Sequence, residues 1–106
     1  MEKRLEIIFF LCFFVYPYIY LYGNTLTIDD VNKMFDDQNG LCYWFGIPLI
    51  PSDKKKHPQQ PSLDRIDGNK GYTKENVVLS CYSANIGRNE NDLDTWLEFI
   101  KLLKTR

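Results

Sequence analysis

Two short stretches, residues 62–66 and 76–80, have strand character, and the chain between them is punctuated by Asp67-Gly68-Asn69-Lys70-Gly71. The first stretch alternates, and the second is rich in Val and Leu. Asp-Gly and Lys-Gly favour the positive φ angles of tight turns. A strand, a turn and a second strand within about twenty residues constrain a small chain strongly, because everything else must cover so narrow a sheet.

The flanks read as helices. Thr27 is an N-cap residue, Asp29 and Asp30 suit the first turn, and Ile28, Val31 and Phe35 fall at helical spacing. Gly40 can end that helix in a left-handed conformation. From about Asp92 to Lys104 a second helical pattern carries Leu93, Trp96, Leu97, Ile100, Leu102 and Leu103, with a basic end that suits a helix C-terminus. Its Trp96/Leu97/Ile100 stripe reads as core packing, with a partner surface as the alternative. Residues 41–50 mix aromatic and β-branched residues around Gly46 and Pro48, which predicts a short strand and turn. Residues 51–61 form a Lys/Pro/Gln loop, and no internal repeat is present.

The N-terminus is different in kind. Lys3 and Arg4 precede a run from Ile7 to Ile28 without a charged side chain. That is the layout of a signal peptide or signal anchor, and residues 5–22 approach the length of a membrane span. Pro17 and the tyrosines of the second half fit a span less well, and no small-residue cleavage site follows. A strand-like remnant of a longer reading frame is the third reading. The chain is therefore divided into a hydrophobic segment, residues 1–24, and a domain, residues 25–106. The location is intracellular if the segment is a remnant, and membrane-associated or secreted if it is a signal or anchor.

Net charge is −1 over 106 residues, which is not the footprint of a protein that coats nucleic acid. Between Pro51 and Arg88, however, seven basic residues (Lys54, Lys55, Lys56, Arg65, Lys70, Lys74, Arg88) exceed four acidic ones (Asp53, Asp64, Asp67, Glu75). The three cysteines, Cys12, Cys42 and Cys81, are too few and too widely spaced for a disulfide framework.

The most informative part of the chain is residues 61–88, with Asp64-Arg65-Ile66-Asp67, Gly71-Tyr72, Glu75-Asn76-Val77, Asn85 and Arg88. It resembles the HNH nuclease family. The resemblance spans about half the chain, with its motif core at residues 41–88, and leaves the flanking helices outside. It implies an α+β fold: a small ββα-metal finger flanked by an N-terminal and a C-terminal helix. It also implies a metal-dependent endonuclease that hydrolyses phosphodiester bonds in DNA, using Mg²⁺ or Mn²⁺. Carried over by position, Asp64 matches the metal-binding acid, and Asn76 the Asn that braces the loop and orients the base. Asn85 matches the helix residue that completes the metal site, and Arg88 a basic residue one helical turn later.

The chemistry is coherent. A hard cation takes oxygen ligands and keeps water, so one carboxylate and one amide suffice if the phosphate supplies another. Asn85 and Arg88, three apart, would share a helix face, and Arg88 could reach a phosphate oxygen. With Arg65, Lys70 and Lys74 it makes up the expected nucleic-acid contacts.

Two departures from the family pattern stand out. Arg65 occupies the position of the family's general-base histidine, and arginine does not readily accept a proton. The base is then His57, Asp67 or a metal-bound hydroxide. The two Cys-x-x-Cys pairs of many family members are reduced to Cys42 and Cys81, so no structural zinc is expected. If the fold holds, these two thiols lie near each other, either free and buried or joined as a disulfide. A catalytically inactive nucleic-acid-binding module is the alternative function. A tethered or secreted domain whose N-terminal segment is the working part is the third. Partners implied are DNA, a membrane through residues 5–22, and a larger DNA-reading protein.

Overall fold

The computed structural model describes residues 25–52 and 56–105. The hydrophobic segment with Cys12, and Asp53, Lys54 and Lys55 of the basic loop, lie outside the described residues. Helix α1 (Ile28–Asp37) leads to a turn-rich stretch and then to strands β1 (Pro61–Arg65) and β2 (Val77–Cys81). Helices α2 (Tyr82–Arg88) and α3 (Leu93–Lys104) follow. Among the described residues this makes a small α+β fold with three helices and one two-stranded antiparallel sheet, with Leu63 opposite Leu79 and Asp64 opposite Val78.

The first and last helices start on capping side chains, whereas Cys81 at the start of α2 makes no side-chain cap. Thr27 Oγ1 accepts from the Asp30 N–H at 3.1 Å, and Asp30 Oδ2 accepts from the Thr27 N–H at 3.0 Å, a complete capping box. The chain leaves α1 through Gly40 at φ +71°, where a Cβ would stand 3.0 Å from the Phe35 ring. Asp92 caps α3 by accepting from the Thr95 N–H at 2.8 Å. The tail stripe is core only in part. Trp96 and Ile100 are buried, whereas Leu97 is 44% exposed, because it lies a quarter-turn round the helix from Trp96. Phe99, Leu102 and Leu103 are exposed as well.

Both strands begin or end one residue away from the sequence reading. Pro61 opens β1, where its missing N–H costs nothing, and Asn76 is drawn out of β2 because its side chain is committed to the preceding loop. The strand expected within residues 41–50 reduces to a single bridge between Leu41 and Pro48. Pro48 has no N–H to extend it, and Gly46 turns the chain at φ +72°.

Every residue of β2 is buried, so the strand reads as a continuous apolar run instead of an alternating one. Its outer edge is covered by a side chain. Gln38, just past α1, donates from Nε2 to the carbonyls of Leu41 and Leu79, both at 2.8 Å, and accepts from the Leu79 N–H at 3.0 Å. The Tyr43 N–H adds a bond to the Leu79 carbonyl at 3.0 Å. Gln38 thus mimics one residue of a third strand.

Gln38→Ala deletes all three bonds and leaves partly buried backbone groups unpaired. We expect a loss of about 1–3 kcal/mol in urea unfolding. Gln38→Glu should be nearly as damaging, since a carboxylate cannot donate to the two carbonyls.

Candidate functional site

Where β1 ends, the chain must turn sharply towards β2, and one buried side chain shapes that turn. Asn76 Oδ1 accepts from the Asp67 N–H at 2.9 Å, while Nδ2 donates to the carbonyls of Asp67 and Gly71, each at 3.0 Å. The Ile66 N–H reaches the Asn76 carbonyl at 2.8 Å, continuing the ladder one step past the strand ends. Both ends of the Asn76 amide are therefore used in holding residues 67–71.

Helix α2 packs across β1 and β2 and completes an open cleft of about 720 Å³. One wall carries Asp64, Arg65, Asp67 and Tyr72. The other carries Asn85 and Arg88, followed by residues 89–93 of the α2–α3 connection. Asp64 is 5% exposed. Its Oδ2 accepts from the Trp44 indole N–H at 2.8 Å and from the Ser80 hydroxyl at 3.2 Å. Its Oδ1 lies 3.7 Å from Arg88 Nη1.

Burial pushes the Asp64 carboxyl above its ordinary value of 3.8, and this outweighs the opposing pull of the Trp44 N–H, the Arg88 charge, the Ser80 hydroxyl and the Arg65 charge. Asn85, half-buried on α2, donates from Nδ2 to Ser62 Oγ at 3.0 Å and to the Leu63 carbonyl at 3.5 Å. The structure thus brings Asp64, Asp67 and Asn85 to one cleft.

Arg88 sits differently from its sequence reading as a phosphate contact. It is 6% exposed, with its guanidinium over the Trp44 ring at 5.4 Å. It donates to the carbonyls of Arg65 and Ile66 and faces Asp64. These two hydrogen bonds hold the guanidinium against the end of β1 while Arg88 lines a wall of the cleft.

Arg65 is the more open cation. Its guanidinium stacks on Tyr72 at 5.0 Å and donates to the Lys70 carbonyl at 3.3 Å. Lys70 and Lys74 are exposed, outside the cleft lining.

His57 is not brought to the cleft. Its Nδ1 accepts from the Gln59 N–H at 3.1 Å in the loop before β1, and it does not line the site. As a candidate base it is set aside by position, which leaves Asp67 as the side-chain candidate within the cleft. Cys42 and Cys81 are buried free thiols in contact, with the Cys81 N–H donating to Cys42 Sγ at 3.3 Å. Burial pushes the Cys81 thiol up to about 11, an unreactive state.

The sequence reading missed Trp44 and Ser80. The available signal was chemical. A serine inside the otherwise apolar Val77–Cys81 run and a tryptophan with an indole N–H both need a buried partner. In comparisons with protein-family models, curated proteins and solved structures, none matches this chain.

A carboxyl whose pKa is raised on folding holds its proton more tightly in the folded chain. Its contribution is present at acid pH and is lost as pH rises from 3.8 through the folded value. Asp64→Asn removes that loss. Unfolding free energies of the two proteins should therefore shift progressively in favour of the variant as pH rises from about 4 through the raised folded-state value of Asp64. A difference that stays constant with pH would show that Asp64 titrates as an ordinary carboxyl.

Separately, Asn76→Ala should cost about 2–3 kcal/mol, since it strands the Asp67 N–H and two carbonyls at once. Hydrogen exchange should show that loss concentrated at residues 66–71.

Proposed function

We propose that the chain is a metal-dependent endonuclease of the HNH type, whose β1–β2–α2 unit acts as a ββα-metal finger hydrolysing phosphodiester bonds in DNA. The observation that carries this reading is Asp64. A carboxylate this buried is costly, and costly polar groups are kept where they act.

The donor set decides what kind of cation suits it. Asp64 offers Oδ1, since Oδ2 is engaged by Trp44 and Ser80 and Arg88 Nη1 stands off Oδ1 at 3.7 Å, beyond hydrogen-bond distance. Asn85 offers its amide oxygen, since both of its hydrogen bonds use Nδ2. Among the described residues no three His, Cys, Asp or Glu side chains stand close enough together to hold a metal ion by themselves. Two oxygens suit a hydrated Mg²⁺ or Mn²⁺ that takes its remaining ligands from water and substrate phosphate, and they do not suit a stand-alone cage.

Charge points the same way. The cleft lining carries four carboxylates, Asp64, Asp67, Glu90 and Asp92, against the guanidiniums of Arg65 and Arg88. A phosphate would enter such a cleft only beside a cation.

In this reading the bound ion would stabilise charge on the scissile phosphate and the leaving oxygen. Asp64 and Asn85 hold it. Asn76 fixes the backbone of residues 67–71 and with it Asp67, which would take the proton from the attacking water. Asp67 Oδ1 already accepts from the Asn69 N–H at 2.9 Å, so the side chain is held and not free to rotate. Arg65, stacked on Tyr72, is available to a phosphate oxygen, with Lys70 and Lys74 steering the backbone from outside. A larger DNA-reading partner would supply target choice.

One observation favours a second reading, a nucleic-acid-binding module without catalysis: an arginine stands beside Asp64 where an imidazole would activate water.

Plasmid nicking separates the two readings. The endonuclease reading expects nicking that needs Mg²⁺ or Mn²⁺, falls on the order of 100-fold or more in Asp64→Ala, and is unchanged in His57→Ala. The binding reading expects intact plasmid, with an affinity whose logarithm falls steeply with log salt, by about 0.9 per neutralised phosphate on duplex DNA.

A further inference from the structure

We infer that Trp44 and Ser80 are positioning residues for Asp64, holding its Oδ2 so that Oδ1 alone is presented to the cation. The inference rests on the metal-site reading above and adds residues that the sequence motif does not contain.

The geometry is specific. Trp44 Nε1 and Ser80 Oγ converge on the same carboxylate oxygen at 2.8 and 3.2 Å, and both come from buried positions. Neither donor can easily move. The Trp44 ring is packed edge-on against Tyr43 at 4.8 Å and Trp96 at 6.2 Å, with the Arg88 guanidinium over its face. Ser80 is fully buried in β2, paired opposite Ser62.

Ser62 links the two sides of the cleft. Its hydroxyl accepts from Asn85 Nδ2 at 3.0 Å and donates to the Ser80 carbonyl at 2.9 Å. Asn85 and Asp64 are thereby fixed from one pair of strand serines. Two donors on one carboxylate oxygen leave a one-oxygen ligand. That denticity suits Mg²⁺ and Mn²⁺, which demand near-octahedral geometry. It disfavours Ca²⁺, which accepts carboxylates through both oxygens.

The test is Mn²⁺ binding by the 106-residue chain, followed by paramagnetic broadening of backbone amide signals near Asp64, with Mg²⁺ and Ca²⁺ as competitors. Ser80→Ala removes one hydroxyl and no carbon, and Trp44→Phe keeps an aromatic ring while removing the N–H.

Each variant is expected to weaken Mn²⁺ binding about 10-fold, the ordinary effect of losing an outer hydrogen-bond partner of a metal ligand. Each should also lower the preference for Mg²⁺ over Ca²⁺ several-fold. A purely structural role would lower the melting temperature without moving that preference.

Mn²⁺ affinity and Mg²⁺/Ca²⁺ preference within twofold of wild type in a folded Ser80→Ala, while Asp64→Asn abolishes binding, would overturn the positioning role and leave the metal site standing. Binding unchanged in Asp64→Asn would instead overturn the metal-site reading and this inference with it. Should Trp44→Phe fail to fold, Ser80→Ala decides alone.

Discussion

The buried pair of Asp64 and Arg88 is the contact on which the rest of the molecule turns. Two charges removed from water pay a large desolvation penalty, and at 3.7 Å their attraction alone does not offset it. What makes the pair tolerable is the number of further partners. Asp64 has an indole N–H and a hydroxyl, and Arg88 has two carbonyls and an aromatic face. Those partners come from the 41–50 turn, from β2 and from the end of β1. Satisfying two ions therefore assembles the elements around the cleft, and any change that loosens one partner is felt by the others.

This arrangement suits a chain with little core to spare. The sheet has two strands, and α3 is fastened mainly by Trp96 and Ile100. Trp44 joins the two regions, since its ring packs on Trp96 while its N–H reaches Asp64. One residue thus serves both the apolar core and the polar cluster. The Cys42–Cys81 contact sits beside it, where two small, inert thiols fill the join between the 41–50 turn and β2.

Much of the fold was legible because its signals are local. Thr27 caps α1 as its place in the sequence suggests, Asn39 and Gly40 together close the helix with positive φ, and the two strand patterns pair within one residue of the expected bounds. Asn76 and Asp67 were legible as participants because they lie in the turn that they shape. What could not be read were pairings between distant positions. Trp44 and Ser80 meet Asp64 across separations of 20 and 16 residues, and nothing local marks them as its partners. Arg88 lines the cleft with Asn85, as residues three apart on one helix face should, but its burial was not legible for a related reason. A helix periodicity locates its side chain on a face, but only the packed structure tells whether that face looks outward or onto the carbonyls of β1. Leu97 fell on the wrong side of the same kind of judgement. His57 was set aside by the path of its loop, which composition does not encode.

The side chain of Gln38 has a consequence for the company the protein keeps. A two-stranded sheet has two open edges, and an open edge is a template for another chain. Gln38 occupies the outward N–H and carbonyl of Leu79, and Cys42 Sγ takes the outward N–H of Cys81. The β2 edge is thus closed to intermolecular strand addition at its centre and its end, by side chains and without an additional strand. Strand addition at that edge would require Gln38 to be displaced first, while the polar cleft lined by residues of β1 and α2 stays open.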